Sequence, residues 1–429
     1  MNRSDSTPSR FALLKYNALL WALSLPLTIF TVGQALRRGG WRYAMQRLGW
    51  AYPRLTQHPI WLHAASVGEV IAALPLIERL QARYPGVTIV LTTTTPTGAT
   101  VATTRLPASV LHVYLPIDWQ GAVRRFLRTT QPCCALIMET ELWPNLYRRC
   151  NALGIPLVLI NGRLSARTLR AGPWMRSVYG ITLAQIDAVM ARSEADRAAF
   201  VELGAPAQRV TVIGNIKFSA GAGGHDIVPI HVGRPYLLAA STHHDEELQL
   251  AHLWRNLAHG EHLLVIAPRH PQRAKAILQQ LEAVQLKVAV RSRGDAVTAQ
   301  TDVYLTDTLG ELPALISGAD IVFMGGSLVP VGGHNILEPA RAGKAMVFGP
   351  YMRNFADEAR ALLAANAALQ VRDVAELGEH ITRLLTDPQR CHDLGHRAQA
   401  LLREHADIAD RYLNAVIQHC TLNTTFPQQ

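Results

Sequence analysis

The segment 323–339, FMGGSLVPVGGHNILEP, carries the densest chemistry in the chain. An apolar strand ends in Gly325-Gly326-Ser327, and a second glycine pair follows at Gly332-Gly333. Asn335 then stands where it can cap a helix running on through Ile336, Leu337 and Glu338. Glycines let a ligand approach the main chain closely, and the free N–H groups at a helix start attract phosphate. Glu338, in the first turn, can accept hydrogen bonds from ribose hydroxyls. Two glycine pairs, a cap and a first-turn acid point together to a nucleotide rather than to an ordinary turn. In the segment 267–271, APRHP, Arg269 offers a planar fork suited to phosphate or carboxylate. Pro268 and Pro271 stiffen that loop, and His270 reads as a structural hydrogen-bonding partner.

Acids placed after strands supply a second set of candidates. Ser66-Val67-Gly68-Glu69 puts a carboxylate at the start of a helix. Such a Glu often only complements the helix dipole; opposite a nucleotide site it becomes the leading candidate for a general base. The segment 138–145, METELWPN, brings Glu139 and Glu141 directly after an apolar strand, where they need partners. The segments 161–165 (NGRLS) and 214–218 (GNIKF) each bring one cation, Arg163 and Lys217, to a strand end. STHHDEE at 241–247 invites a metal reading, but adjacent residues on a starting helix point in different directions and no second ligand cluster matches. A Ser/Thr cap followed by acids accounts for it more simply, and no metal is expected. The chain has no D-x-D pair, which removes the usual carboxylate clamp for a metal–diphosphate donor.

These motifs sit on a repeating pattern of short apolar runs and helical segments, the mark of βαβ units and parallel sheets. Strands are expected at 60–63, 87–92, 135–138, 157–160 and 188–191, then again at 236–240, 263–267, 303–305, 321–324 and 345–348. The Gly/Ala-rich stretch 219–226 separates the two series. The expectation is α/β: two doubly wound, Rossmann-like domains facing a central cleft, with ligands outside the carboxyl ends of the strands. The boundaries drawn are an anchor at 1–36, a first domain at 37–220, a linker at 221–234, a second domain at 235–420 and a tail at 421–429.

At 429 residues the chain is long for a single core, and 49 % hydrophobic residues argue against general disorder. Five scattered cysteines, with no C-x-x-C pair, fit free thiols in a reducing compartment. Residues 1–60 hold eight Arg/Lys and one Asp, so they carry +7 of the net +10. Those basic residues bracket an uncharged segment from Tyr16 to Ala35, followed by Arg37, Arg38, Arg42 and Arg47. The pattern favours an anionic membrane surface over nucleic acid. No small-x-small cleavage site precedes the basic run, which argues against a signal peptide. The segment barely reaches spanning length and contains Pro26, so spanning and interfacial modes both fit it, with a buried amphipathic helix of the first domain as the alternative.

Taken together, SVGE, METELWPN, NGRLS, the Ser193…Asp196-Arg197 run, the Lys217 segment, PRHP, GGSLVPVGGHNILEP and Gly349-Pro350…Asn354-Phe355 resemble the 3-deoxy-D-manno-octulosonic acid (Kdo) transferases of lipopolysaccharide assembly. The matches are collinear from about Arg37 to Phe355. The resemblance implies a GT-B fold, an N-terminal membrane-anchor helix and no metal or other cofactor. By motif it makes Glu69 the proton acceptor, and Glu139 and Lys217 the stabilisers of the transition state. It assigns the CMP contacts to Pro268, Arg269, the Leu309-Gly310-Glu311 turn and Asn335 through Glu338; Gly325 and Ser327 join them as part of the phosphate loop. His244-Asp245 departs from the Glu-Gly common in the family, which puts the local loop geometry in question.

The expected reaction is inverting transfer of Kdo from CMP-Kdo to the 6′-hydroxyl of a lipid A precursor (lipid IVA). The expected place is the bacterial inner membrane, with the catalytic body on the cytoplasmic side. The expected partners are CMP-Kdo, the membrane-held precursor and an anionic lipid surface, with no nucleic acid. The alternatives are another GT-B enzyme, such as a nucleotide-sugar epimerase or a different lipid glycosyltransferase, and a noncatalytic lipid- or nucleotide-binding membrane protein.

Overall fold

Parallel strands buried on both faces read as continuous apolar runs, and the central strands here do. In a computed structural model the chain forms two compact units, 1–222 with 407–429, and 223–406. The structure describes residues 7–107, 109–219, 227–420 and Leu422. The first unit carries β1 (Ile60–His63), β2 (Ile89–Thr93), β3 (Val110–Tyr114), β4 (Cys134–Met138), β5 (Leu157–Gly162), β6 (Ala188–Ala191) and β7 (Val210–Val212). They form one parallel sheet in the order β3-β2-β1-β4-β5-β6-β7. The order reverses between β1 and β4, the position where doubly wound sheets bind ligands.

The second unit carries β8 (Tyr236–Thr242), β9 (Leu263–Pro268), β10 (Val288–Val290), β11 (Val303–Leu305), β12 (Ile321–Met324), β13 (Ala345–Phe348) and β14 (Leu369–Gln370). Its parallel sheet runs β10-β11-β9-β8-β12-β13-β14, with the reversal between β8 and β12. The strands not anticipated are β3, β7, β10 and β14. All four lie at sheet edges, and β7, β10 and β14 are three residues or fewer, too short for a periodicity to register. The helix after β1, Val67–Arg83, shows the logic of the covering layers. Its buried Val70, Ala73, Leu76, Ile77 and Leu80 recur at helical spacing and pack on the sheet.

Three expectations are corrected. The apolar N-terminal segment is not one helix: Phe11–Ala22 and Ser24–Arg47 are bent by 54° across Leu23. Pro26 has no N–H to give the carbonyl of residue 22, so the break falls one turn before it. Among the described residues no single helix is long and apolar enough to cross a membrane. Next, the second domain does not run to 420. The helix Ile408–His419 buries Ile408, Tyr412 and Val416 in the core of the first unit, against Ile216 and the β1–β4 layer. Finally, residues 230–234 of the expected linker belong to the second unit, where Ile230 N donates to Ala314 O and Arg234 to Thr301 O. The linker residues 221–226, and the tail except for a buried Leu422, lie outside the described residues.

Candidate functional site

Glu69 sits in the first turn after β1, where Ser66 caps the helix by accepting from Glu69 N. The carboxylate reaches back in return: Oε2 accepts from Ala65 N at 2.8 Å and Oε1 from Ser66 Oγ at 2.8 Å. This reciprocal cap fixes the side chain. Burial pushes its pKa up to about 8, and the charge of Glu139 adds to the rise.

Glu139 follows β4 directly with φ 55°, a left-handed conformation that a non-glycine residue holds at a cost. Its Oε1 lies 3.3 Å from Lys217 Nζ and its Oε2 3.7 Å from Arg163 Nε. Lys217 is presented by the turn Ile216–Ser219, which Asn161 holds by accepting from Ile216 N at 3.1 Å. Glu141, on the same loop as Glu139, accepts from Trp143 Nε1 at 2.9 Å and faces His63 Nε2 at 3.7 Å. Burial alone would raise its pKa, but His63, Trp143 and Arg47 outweigh burial and hold it below the usual range. The structure thus brings Glu69, Glu139, Lys217 and Arg163 to one edge of the first sheet. It adds His63, fully buried and bonded through Nδ1 to Thr92 Oγ1, which its place inside an apolar strand run had concealed.

In the second unit the glycine loop is organised by a residue that sequence reasoning did not single out. Glu246, fully buried, accepts from Gly326 N (2.7 Å), Ser327 N (3.0 Å), Leu328 N (3.0 Å) and His243 N (2.9 Å). STHHDEE is therefore a loop brace; the helix N-cap is Asp245, with no side-chain cap bond. The neighbouring Glu247 binds Thr242 Oγ1 and both terminal nitrogens of Arg273. Ser327 is buried, its hydroxyl bonded to Met324 O and Gly349 N, so it shapes the loop instead of facing a ligand. Gly325 likewise answers a close strand approach: a Cβ there would meet Ser241 O at 2.6 Å.

Arg269 is exposed at the end of β9, its N–H bonded to Thr242 O. Beside it, His243 and His334 lie parallel within 5°, centroids 5.0 Å apart, with Nε2 atoms 2.8 Å apart. That centroid spacing is the N–N gap plus roughly one ring radius on each side, so the rings meet edge to edge. Burial, with the nearby His243, Arg269 and His270, brings His334 down to about 4. Asn335 donates to Glu338 Oε1 at 3.0 Å and accepts from Leu337 N at 3.2 Å. The helix it was expected to open is Leu337–Arg341, a single short turn, so local N–H groups rather than a macrodipole are available there. Ile336 and Leu337 are buried and can meet a ligand only through their backbone. In the Leu309-Gly310-Glu311 turn, Gly310 has φ 89° and the Glu311 carboxylate is held by Arg291 at 2.8 and 3.2 Å. A cavity of about 660 Å³ opens beside the glycine loop 325–333, lined by Pro330, Gly332, Tyr351, Arg353 and Arg360. It includes none of the assigned CMP contacts.

Each unit is a doubly wound α/β sheet with charged side chains gathered at its strand ends. The glycosyltransferase structure from Rickettsia africae matches with TM-score 0.58 at 12% identity, over 86% of this chain and all of that one. The UDP-N-acetylglucosamine 2-epimerase structure from Listeria monocytogenes, described as putative, matches with TM-score 0.59 at 12% identity, over 87% and 100%. These likenesses show the GT-B fold. Residues 42–220 match the profile described as 3-Deoxy-D-manno-octulosonic-acid transferase (kdotransferase). The 3-deoxy-D-manno-octulosonic acid transferase of Bordetella pertussis is 35% identical over 94% of this chain and 98% of its own length. That of Haemophilus influenzae is 34% identical over 83% and 86%. The chain belongs to the Kdo transferase family.

Proposed function

We propose that this protein transfers Kdo from CMP-Kdo to the 6′-hydroxyl of a lipid A precursor with inversion, without a metal, at the cytoplasmic face of the inner membrane. The observation that carries the reading is Glu69: a carboxylate of raised proton affinity, locked by its own cap, beside the Glu139–Lys217 pair. Glu69 takes the hydroxyl proton as that oxygen attacks the anomeric carbon, and the C–O bond to CMP breaks. Lys217 and Arg163, balanced by Glu139, set the field around the developing charge. Arg269 and the backbone around Asn335–Glu338 hold the nucleotide phosphate and ribose. A donor with one phosphate asks for no divalent clamp, in keeping with a chain that has no D-x-D pair.

Attachment falls to the N-terminal helices. They expose Phe11, Leu14, Trp21 (82 %), Leu25, Ile29, Phe30, Leu36 (84 %) and Trp41, next to exposed Arg37 and Arg38. Apolar side chains rimmed by cations fit an anionic lipid surface, and the bend at Leu23 favours lying in the interface.

The decisive assay incubates the purified full chain with CMP-Kdo and lipid IVA and weighs the products. Glu69→Gln is expected to lose at least about 10²-fold in rate while still binding CMP. A variant that keeps most of its activity would remove Glu69 from the role, and turnover of a UDP-sugar in place of CMP-Kdo would overturn the reading.

A further inference from the structure

The N-terminal helix Thr7–Ala22 does more than offer an apolar face, because two polar side chains on its inner side tie it to the rest of the first unit. Tyr16 Oη donates to Asp118 Oδ2 at 2.9 Å, and Asn17 Oδ1 accepts from Asn145 Nδ2 at 2.8 Å. Asn17 Nδ2 returns to Leu13 O at 2.9 Å, which orients its amide. Asp118 is 2 % exposed and accepts from Asn145 N and Leu146 N, both at 2.9 Å. Asn145 Nδ2 also donates to Asp118 O at 2.7 Å.

Apart from the Asn17–Leu13 bond, this network converges on the start of helix Pro144–Ala152. That point is the far foot of the loop carrying Glu139 and Glu141, whose near foot is β4. A membrane anchor alone needs no such connection. We propose that Tyr16 and Asn17 are positioning residues: through Asp118 and Asn145 the N-terminal helix fixes the loop that places Glu139 and Glu141 beside Glu69. The inference rests on Glu69 being the base.

Physical necessity makes the link stiff. Asp118 is taken out of water, so a lost donor leaves a buried acceptor unmet and weakens the network it shares with Asn145 and Leu146. Glu139 already holds a strained left-handed backbone, so its loop has a relaxed conformation to fall back to when the far foot loosens.

The test uses the full chain with Tyr16→Phe, Asn17→Ala and both, assayed with CMP-Kdo and detergent-dispersed lipid IVA so that attachment does not limit the rate. The double variant is expected to lose about tenfold in kcat with the acceptor KM within about twofold. Sedimentation with phosphatidylglycerol vesicles should match the wild type, since both residues face inward. The acid limb of its pH–rate profile should move to lower pH, because the Glu139 and Glu141 charges that raise the proton affinity of Glu69 are no longer held beside it. Wild-type kcat with an unmoved limb would overturn the proposal. So would a loss of rate that only follows the folded fraction measured by thermal unfolding. Tyr16→Phe, which removes one oxygen, decides the matter should the double variant fold poorly. If Glu69→Gln stayed active, the base assignment would fall, and the kcat of the Tyr16 variant would still decide whether the helix is a strut.

Discussion

At the scale of single residues, the site turns on how tightly Glu69 holds a proton. With its pKa near 8, the rate should climb roughly tenfold per pH unit below that value and level off above it, since only the ionised form can accept a proton. Glu139→Gln removes the second-largest cause of the rise, so the limb should move toward lower pH as the plateau falls. Initial rates between pH 6 and 9, at saturating donor, read both effects; a flat profile would refute the assignment. The same shift fixes a stability trend. The folded state holds the proton on Glu69 more tightly than the unfolded chain does, so stability is fully present below the unfolded pKa and declines as pH rises through about 8. Glu69→Gln, which keeps acceptor and donor for Ala65 and Ser66, should flatten that decline in melting temperature. The candidate acids were legible in the sequence because Glu139 and Glu141 follow an apolar strand directly and Glu69 opens the helix after one. Asp118 and Glu246 were not, since each works by holding N–H groups of a segment far along the chain: Glu246 reaches residues 326–328, and Asp118 reaches 145 and 146.

Elements rather than residues explain where Lys217 points. The helix Ile408–His419, after the whole second unit, returns to pack on the first, and Tyr412 Oη donates to Gly214 O at 2.8 Å. Ile408 packs against Gly214 so closely that a Cβ there would meet its Cδ1 at 2.9 Å. The turn that presents Lys217 is thus clamped between Asn161 on one side and this last helix on the other. Tyr412→Phe takes the donor from a half-buried carbonyl, a loss of about 1 kcal/mol, and should lower kcat several-fold while leaving CMP binding unchanged. Equal kcat for the variant and the parent would dissociate the helix from catalysis. Cutting the chain after Ala406 strips Ile408, Tyr412 and Val416 from the core, at about 1.5–3 kcal/mol each, and should leave the first unit insoluble. The alternation of strands and helices made the two sheets readable from sequence. It could not reveal that the final helix crosses back, because an amphipathic pattern says which face is buried and not which sheet it is buried against.

Across the whole molecule, charge and apolar surface are concentrated at one end of the sequence, and that asymmetry predicts how the two substrates respond to salt. Residues 1–60 hold +7 of the net +10, while the exposed apolar side chains of Phe11–Trp41 need no counter-charge. A membrane-held acceptor with phosphates would meet this basic stretch in addition to the catalytic site. Screening acts strongly on exposed charges farther apart than about 8–10 Å at 0.1–0.15 M salt, and much less on groups in contact. Arg37 and Arg38 are exposed, whereas a nucleotide phosphate held by Arg269 as proposed would be met at close range. Raising salt should therefore raise the apparent KM for lipid IVA in anionic vesicles several-fold more than that for CMP-Kdo. With detergent-dispersed acceptor the difference should shrink, because the lipid surface that attracts the arginines is gone. Arg37→Gln/Arg38→Gln should reproduce the high-salt behaviour at low salt. Equal salt sensitivity for donor and acceptor in vesicles, or an unchanged double variant, would show that attachment depends on the apolar face alone.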